Sequence, residues 1–204
     1  METFLFAIIG YLLGSIPFAY LIVRTYHRVD LRSEGSKNIG ARNAFEVTAN
    51  KKLGFSVLIL DLLKGIIPLI LLSELGFCAE TPLVAAMIVL GHCFPVWLRF
   101  HGGRGLATGA GIALLISPDS LLCWLLIYFL MGIVRKQVHI QSLVATLATL
   151  IFAVTAYSSP LFFKFRFICQ GDKYLFQVSI IAILCIILVK HIEPVYRLIT
   201  KPNP

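Results

Sequence analysis

The stretch from Gly91-His92-Cys93-Phe94-Pro95 to His101-Gly102-Gly103-Arg104-Gly105, followed by Leu106-Ala107-Thr108, holds the residues best suited to chemistry. Glycines let a backbone turn tightly and present its N–H groups, and an adjacent arginine supplies a planar positive fork. That combination binds phosphate. A helix beginning near Leu106 would aim its N-terminal N–H groups and dipole at the same turn. The turn is not a P-loop, because the G-x-x-x-x-G-K-S/T spacing is absent. His92 stands within an apolar run, where a histidine is costly and faces a cavity or a partner.

Three other stretches share this character. Gly35-Ser36-Lys37-Asn38-Ile39-Gly40-Ala41-Arg42-Asn43 alternates small residues and amides with two cations. Its hydroxyl, amide and backbone donors suit phosphate oxygens, and the alternative is a solvated basic loop near anionic lipid heads. In Arg135-Lys136-Gln137-Val138-His139-Ile140-Gln141-Ser142, the two leading cations read as topology anchors. His139 and Ser142 lie three apart on one helical face, so a Ser–His nucleophile pair is the alternative there. Lys190-His191 and Arg197 mark either another anion site at a membrane exit or a juxtamembrane basic tail. Asp61 and Lys64 have the spacing of an intrahelical pair, expected to be structural.

The elements that hold these residues are apolar. Of 204 residues, 58% are hydrophobic and only 14% charged, and the mean hydropathy is +0.88. Soluble domains carry roughly 25% charged residues. The expected class is therefore an all-α integral membrane protein, read as a single polytopic domain over residues 1–204. The net charge of +8 marks cytoplasmic loops rather than a nucleic-acid partner. Seven apolar segments run through Thr3–Val23, Leu53–Ser73, Pro82–Leu98, Leu106–Ser117, Ser120–Val134, Val138–Phe163 and Tyr174–Val189. The fourth and fifth are short and read as a tight hairpin or a re-entrant pair.

With about seven crossings and the N-terminus outside, fourteen basic residues fall inside and three outside (Lys164, Arg166 and Lys173). That bias predicts a cytoplasmic C-terminus and places all four stretches on the cytoplasmic face. Met1–Val23 lacks a basic n-region and is longer than a signal-peptide core, so it reads as a retained helix. Gly10, Gly14 and Ser15 give it a small-residue packing face, and Pro17 predicts a kink. The five cysteines show no C-x-x-C spacing. Packing is their expected role, with a Cys78–Cys169 disulfide on the outer side as a lesser alternative.

Three of these stretches resemble the motifs of the bacterial membrane glycerol-3-phosphate acyltransferases, the PlsY family. Ser36, Asn38, Gly40 and Asn43 match its Ser-Gly-Asn-x-Gly-Ala-Thr-Asn, with Lys37 and Arg42 replacing glycine and threonine. Gly91, His92, Pro95, Phe100, Gly102, Gly103, Gly105, Ala107 and Thr108 match the second motif, with Arg104 at its lysine. His191, Arg197 and Leu198 match the third, where Pro194 stands for an asparagine. Gly14 to Pro17, Asp30 to Arg32, Asp61 and Lys64 also fit, and Ser142 matches a family serine.

The resemblance implies a seven-helix enzyme of the bacterial inner membrane with its site facing the cytoplasm. It implies acyl transfer from acyl phosphate to the 1-hydroxyl of glycerol 3-phosphate, giving lysophosphatidate and phosphate. No cofactor and no metal are implied. The partners are the two substrates, membrane lipids and an upstream enzyme that forms the acyl phosphate. His191 and Arg104 are the expected catalytic residues. Ser36, Asn38, Gly40, Arg42, Asn43, His92, Gly102, Gly103, Gly105, Thr108, Ser142 and Arg197 are expected to bind substrate. A divergent acyltransferase with another acceptor, or a catalytically silent paralogue that binds lipid or phosphate, stays open because of Pro194.

Overall fold

The computed structural model describes residues 2–155, 167–169 and 172–200, without the side chains at 197–199. Among them all regular structure is helical: α1 (Glu2–Gly14), α2 (Phe18–His27), α3 (Ala41–Thr48), α4 (Lys51–Glu74), α5 (Thr81–Cys93), α6 (Leu106–Ile116), α7 (Pro118–Val134), α8 (Val138–Thr155) and α9 (Lys173–Thr200). Five stretches, Glu2–His27, Lys51–Glu74, Thr81–Leu98, Val138–Thr155 and Lys173–Tyr196, are long and apolar enough to cross a bilayer. The chain is a multi-pass membrane protein.

The remaining two apolar helices are shorter. The 11 residues of α6 rise about 17 Å, a little over half of a hydrocarbon core about 30 Å thick. Helices α6 and α7 form a hairpin turned at Ser117, whose hydroxyl donates to Asp119 Oδ1 at 3.1 Å and to Ser120 Oγ at 2.7 Å. The described residues thus give five long segments and this short pair, the division that the segment lengths predict.

The kink expected at Pro17 is a full break between α1 and α2. Proline supplies no N–H to the helix and pushes the preceding Ile16 out of the helical region. The freed Ile16 carbonyl is taken up by Lys64 Nζ at 3.0 Å. The small-residue face packs as the sequence suggests, against α5. A β-carbon on Gly14 would overlap the Ile88 carbonyl, and one on Gly91 would overlap the Tyr11 carbonyl. Glycines on both helices thus bring the two backbones into contact.

Two apolar clusters organise the interior. The larger joins α4, α5, α6 and α9 through Leu69, Ile88, Ile112, Phe176 and Ile180. The smaller lies at the end of the bundle reached by the connection between α2 and α4. There Leu31 and Ile39 of the connection sink against Val23, Ala44 and Val57. Cys78 and Cys169 are disulfide-bonded, which corrects the packing role expected for that pair, whereas Cys93 is buried as expected. The disulfide sits at the opposite end of α5 from His92. Lys164 and Arg166, the basic residues that broke the charge bias, lie outside the described residues, as does the end of the sixth apolar segment.

Candidate active site

The first motif is held by one side chain. Asn43, fully buried in the first turn of α3, accepts from the Ser36 N–H at 2.8 Å. Its amide donates to the Leu31 and Glu34 carbonyls at 3.3 and 3.1 Å. Both ends of the amide are committed to the loop, so Asn43 shapes the ring that carries Ser36, Lys37 and Asn38. Lys37 adopts φ +59° there, the left-handed region that favours glycine. At the far side of the loop, Arg32 donates to Asp30 at 2.6 Å, and that guanidinium holds the Asp30 carboxyl down at about 2.

The second motif is a flattened turn pressed onto α5. The Gly103 N–H donates to the His92 carbonyl at 3.0 Å. A β-carbon on Gly103 would overlap His92 Nε2 and stand 2.9 Å from the Ile39 carbonyl; one on Gly102 would overlap the His92 carbonyl and Pro95. These glycines are required for close approach, and they bring the first motif's Ile39 onto the second. Gly105, at φ +81°, starts α6 as its N-cap and lies beside Ile187 of α9.

Beneath the turn is a buried charged group. Lys64 Nζ stands 3.0 Å from Asp61 Oδ1, and His92 Nδ1 is 3.6 Å from the same oxygen. The pair three residues apart on α4 therefore anchors the α1–α2 break and backs His92, the structural role its spacing suggested. A small pocket lies among Ser15, Lys64, His92, Gly102 and Gly103.

The other wall differs. His191 is fully buried. Its Nδ1 is 2.8 Å from the Ile187 carbonyl, which only accepts, so the ring proton sits on Nδ1 and Nε2 presents a lone pair. That Nε2 has no partner among the described residues, and neither do Thr108 Oγ1 and Ser142 Oγ. Since Ser142 Oγ is unpartnered, the Ser–His nucleophile pair is not formed. His139 instead faces Arg104, whose Nη1 lies 3.2 Å from His139 Nδ1. Burial, and next the Arg42 charge, lower the Arg104 pKa from its ordinary value. Arg42 itself pairs with Glu46 at 2.7 Å across one turn of α3. Lys190 Nζ lies over the Phe94 ring at 4.9 Å. Arg197 belongs to α9, and its side chain lies outside the described residues.

An apolar cavity begins beside this wall. It is lined by Leu106, Ala110 and Ala113 of α6, Trp124 of α7, and Ile183 and Ile187 of α9. Its volume is about 70 Å³, and Ser120 and Ile180 also line it. No local pattern marks this cavity, because its lining is spread over four helices.

A polytopic helical membrane protein with a cationic, glycine-built site at one end and an apolar cavity beside it defines the class. The chain belongs to the glycerol-3-phosphate acyltransferase family, whose model matches residues 4–201. The glycerol-3-phosphate acyltransferase of Aliarcobacter butzleri is 34% identical to it, over 97% of this chain and 93% of the relative. The crystal structure of PlsY, an integral membrane glycerol 3-phosphate acyltransferase, in its glycerol 3-phosphate form superposes with a TM-score of 0.80 at 30% identity. That match covers 100% of this chain and 95% of the other. The lysophosphatidic acid form superposes with a TM-score of 0.77 at 28% identity and the same coverage.

Proposed function

We propose that this chain transfers an acyl group from acyl phosphate to the 1-hydroxyl of glycerol 3-phosphate, producing lysophosphatidate and inorganic phosphate. The observation that carries this reading is the bare, buried Nε2 of His191 on the wall that also holds Arg104 and the mouth of the apolar cavity. In the reaction, the 1-hydroxyl oxygen attacks the acyl carbonyl carbon. His191 Nε2 accepts the hydroxyl proton, the bond from carbonyl carbon to phosphate oxygen breaks, and phosphate leaves with the bonding pair. His191 then gives its proton to the departing phosphate or to water. Acyl phosphate is an activated anhydride, so the protein's work is to position the two substrates and neutralise developing charge.

Arg104 is the principal cation for that charge. Thr108 and Ser142 offer hydroxyls, Ser36, Asn38 and the Gly102–Gly105 turn line the phosphate side, and Arg42 and Arg197 contribute at the rim. Asn43, Gly40 and His92 hold these groups in place. The acyl chain occupies the cavity from Leu106 inward. We place the whole chain, 1–204, as one domain of a bacterial inner membrane with the site facing the cytoplasm, supplied by an acyl-phosphate-forming enzyme. The charge bias supports that orientation. So does the Cys78–Cys169 disulfide, because disulfides persist on the oxidising side of a membrane and this one lies at the end away from the site.

The deciding experiment incubates the purified protein with a long-chain acyl phosphate and glycerol 3-phosphate and follows lysophosphatidate. Product formed from acyl phosphate, and not from an acyl thioester, supports the reading; no product shifts it to another acceptor or to a silent lipid-binding paralogue. Orientation is read by thiol labelling of intact cells at single cysteines replacing the exposed Lys51 and Glu80, with the native cysteines removed. Labelling at 80 alone is expected, and labelling at 51 alone overturns the orientation.

A further inference from the structure

The glycine turn fixes the backbone of Arg104 but not its side chain. A guanidinium on three methylenes has many rotamers, and Arg104 is only partly buried. Its charge also feels Arg42, Glu46 and Glu193, which pull it in different directions. Among the described residues its side chain has one hydrogen bond, and the partner lies outside every motif: His139, in the first turn of α8, 35 residues further along the chain.

We infer that His139 is the positioning residue for Arg104, holding one edge of the guanidinium so that the remaining N–H groups face a bound phosphate. Arginine carries donors only. The 3.2 Å contact from Nη1 to Nδ1 therefore requires an unprotonated Nδ1 that accepts. A planar fork can donate sideways to His139 and forward to phosphate at once, with the two directions rigidly related. A lysine ammonium in that place would be a point charge with rotating donors, and would be aimed less by a lateral acceptor. Arg104 and His139 thus form a matched pair, and the arginine gains its directionality from α8.

The sequence spacing pointed elsewhere. His139 and Ser142 share a helical face, but Ser142 Oγ makes no bond to it. The imidazole reaches across to the α5–α6 connection instead. His139 acts through Arg104 and is not assigned contact with the reacting atoms. The inference rests on the reading of Arg104 as a phosphate ligand. Both substrates carry phosphate, one as an acyl phosphate and one as a phosphate monoester, and the test separates them.

The test uses the full chain purified in detergent, with His139→Phe, His139→Asn, Arg104→Ala and the double variant Arg104→Ala/His139→Phe. Asparagine puts an accepting oxygen where Nδ1 stood; phenylalanine keeps the ring and removes the acceptor. The KM for acyl phosphate, the KM for glycerol 3-phosphate and kcat are measured separately. Thermal protection by inorganic phosphate is read in parallel. His139→Phe is expected to raise one of the two KM values about tenfold and to weaken phosphate protection to match, the size of losing a hydrogen bond to a charged group. The KM that moves identifies which phosphate Arg104 holds. His139→Asn is expected to stay within about threefold of the parent, since an amide oxygen restores the acceptor. In the Arg104→Ala background, His139→Phe is expected to add nothing, the signature of action through Arg104.

The inference is overturned if His139→Phe leaves both KM values and phosphate protection unchanged, if His139→Asn is as impaired as His139→Phe, or if the loss persists without Arg104. Should the parent protein form no lysophosphatidate, the acyl-transfer reading fails, and phosphate protection across the same four variants still decides the role of His139.

Discussion

The two walls of the site are built on opposite terms. On the wall formed by the first motif and the turn after α5, polar atoms are consumed inside the protein. Asn43 makes three hydrogen bonds to its own loop, Gly103 gives its N–H to His92, and His92 leans on Asp61. On the wall formed by α6, α8 and α9, Thr108, Ser142 and His191 each keep a buried polar atom without a partner among the described residues. Buried polar groups are nearly always satisfied, and an orphan costs about 1–3 kcal/mol. Those bonds hold the backbone of the first wall in place. The second wall has unmet hydrogen-bonding capacity, which is what a site for a phosphate and a hydroxyl requires. On the proposed function, motif residues therefore divide into holders and contactors, a division invisible in the motifs themselves.

That division is sharpest at His191 and Asn43, both fully buried. His191→Gln should lower kcat by about 10²–10⁴, the usual contribution of a positioned base, while melting temperature and detergent-solubilised yield stay near the parent. A folded His191→Gln protein with near-normal kcat would remove the base from the mechanism. Asn43→Ala should show the converse. It strands the Ser36 N–H and two carbonyls, so stability should fall by about 1–3 kcal/mol. Whatever folded fraction remains should keep kcat within a few-fold. Thermal unfolding followed by tryptophan fluorescence, alongside active-site-normalised turnover, separates the two.

Smaller effects sharpen the contrast further. Thr108→Ala and Ser142→Ala each delete a hydroxyl that nothing among the described residues pairs. Each should leave the unliganded protein as stable as the parent or slightly more so, yet cost turnover by about 0.5–1.5 kcal/mol, one hydrogen bond. Destabilisation with unchanged kcat/KM would move that hydroxyl among the holders. Lys37→Gly should be the mildest. Relieving a left-handed non-glycine residue should raise stability by about 1 kcal/mol, with any effect on KM reporting the lysine's charge alone.

Much of this was readable from the sequence where a pattern is local. Long apolar runs gave α4, α5 and α9, the glycine spacing gave the α1 face, and the clustered glycines with Arg104 gave the turn. Pro17 was read as a kink because its neighbours are apolar on both sides; the break depends on Lys64, 48 residues away, taking up the freed carbonyl. Helix α3 lay inside a mixed polar stretch with no apolar period, and its first turn is ordered by Asn43's contacts to the loop. The partner of His139 has no local signal either. Three-residue spacing offers Ser142 only as an alternative, and it is the packing of α8 against the α5–α6 connection that makes Arg104 the bonded group. Long-range pairings leave no periodic trace, so the contacts of Asn43, Lys64 and His139 emerged only from the structure.

The disulfide between Cys78 and Cys169 bears on where α5 and α9 can part. It ties the connection before α5 to the connection before α9, at the end of the bundle opposite His92 and His191. With those ends covalently tethered, the two helices are like the arms of tongs joined at the rivet. Any separation between them is widest at the tips, beside His92 and His191, while the rivet end stays shut.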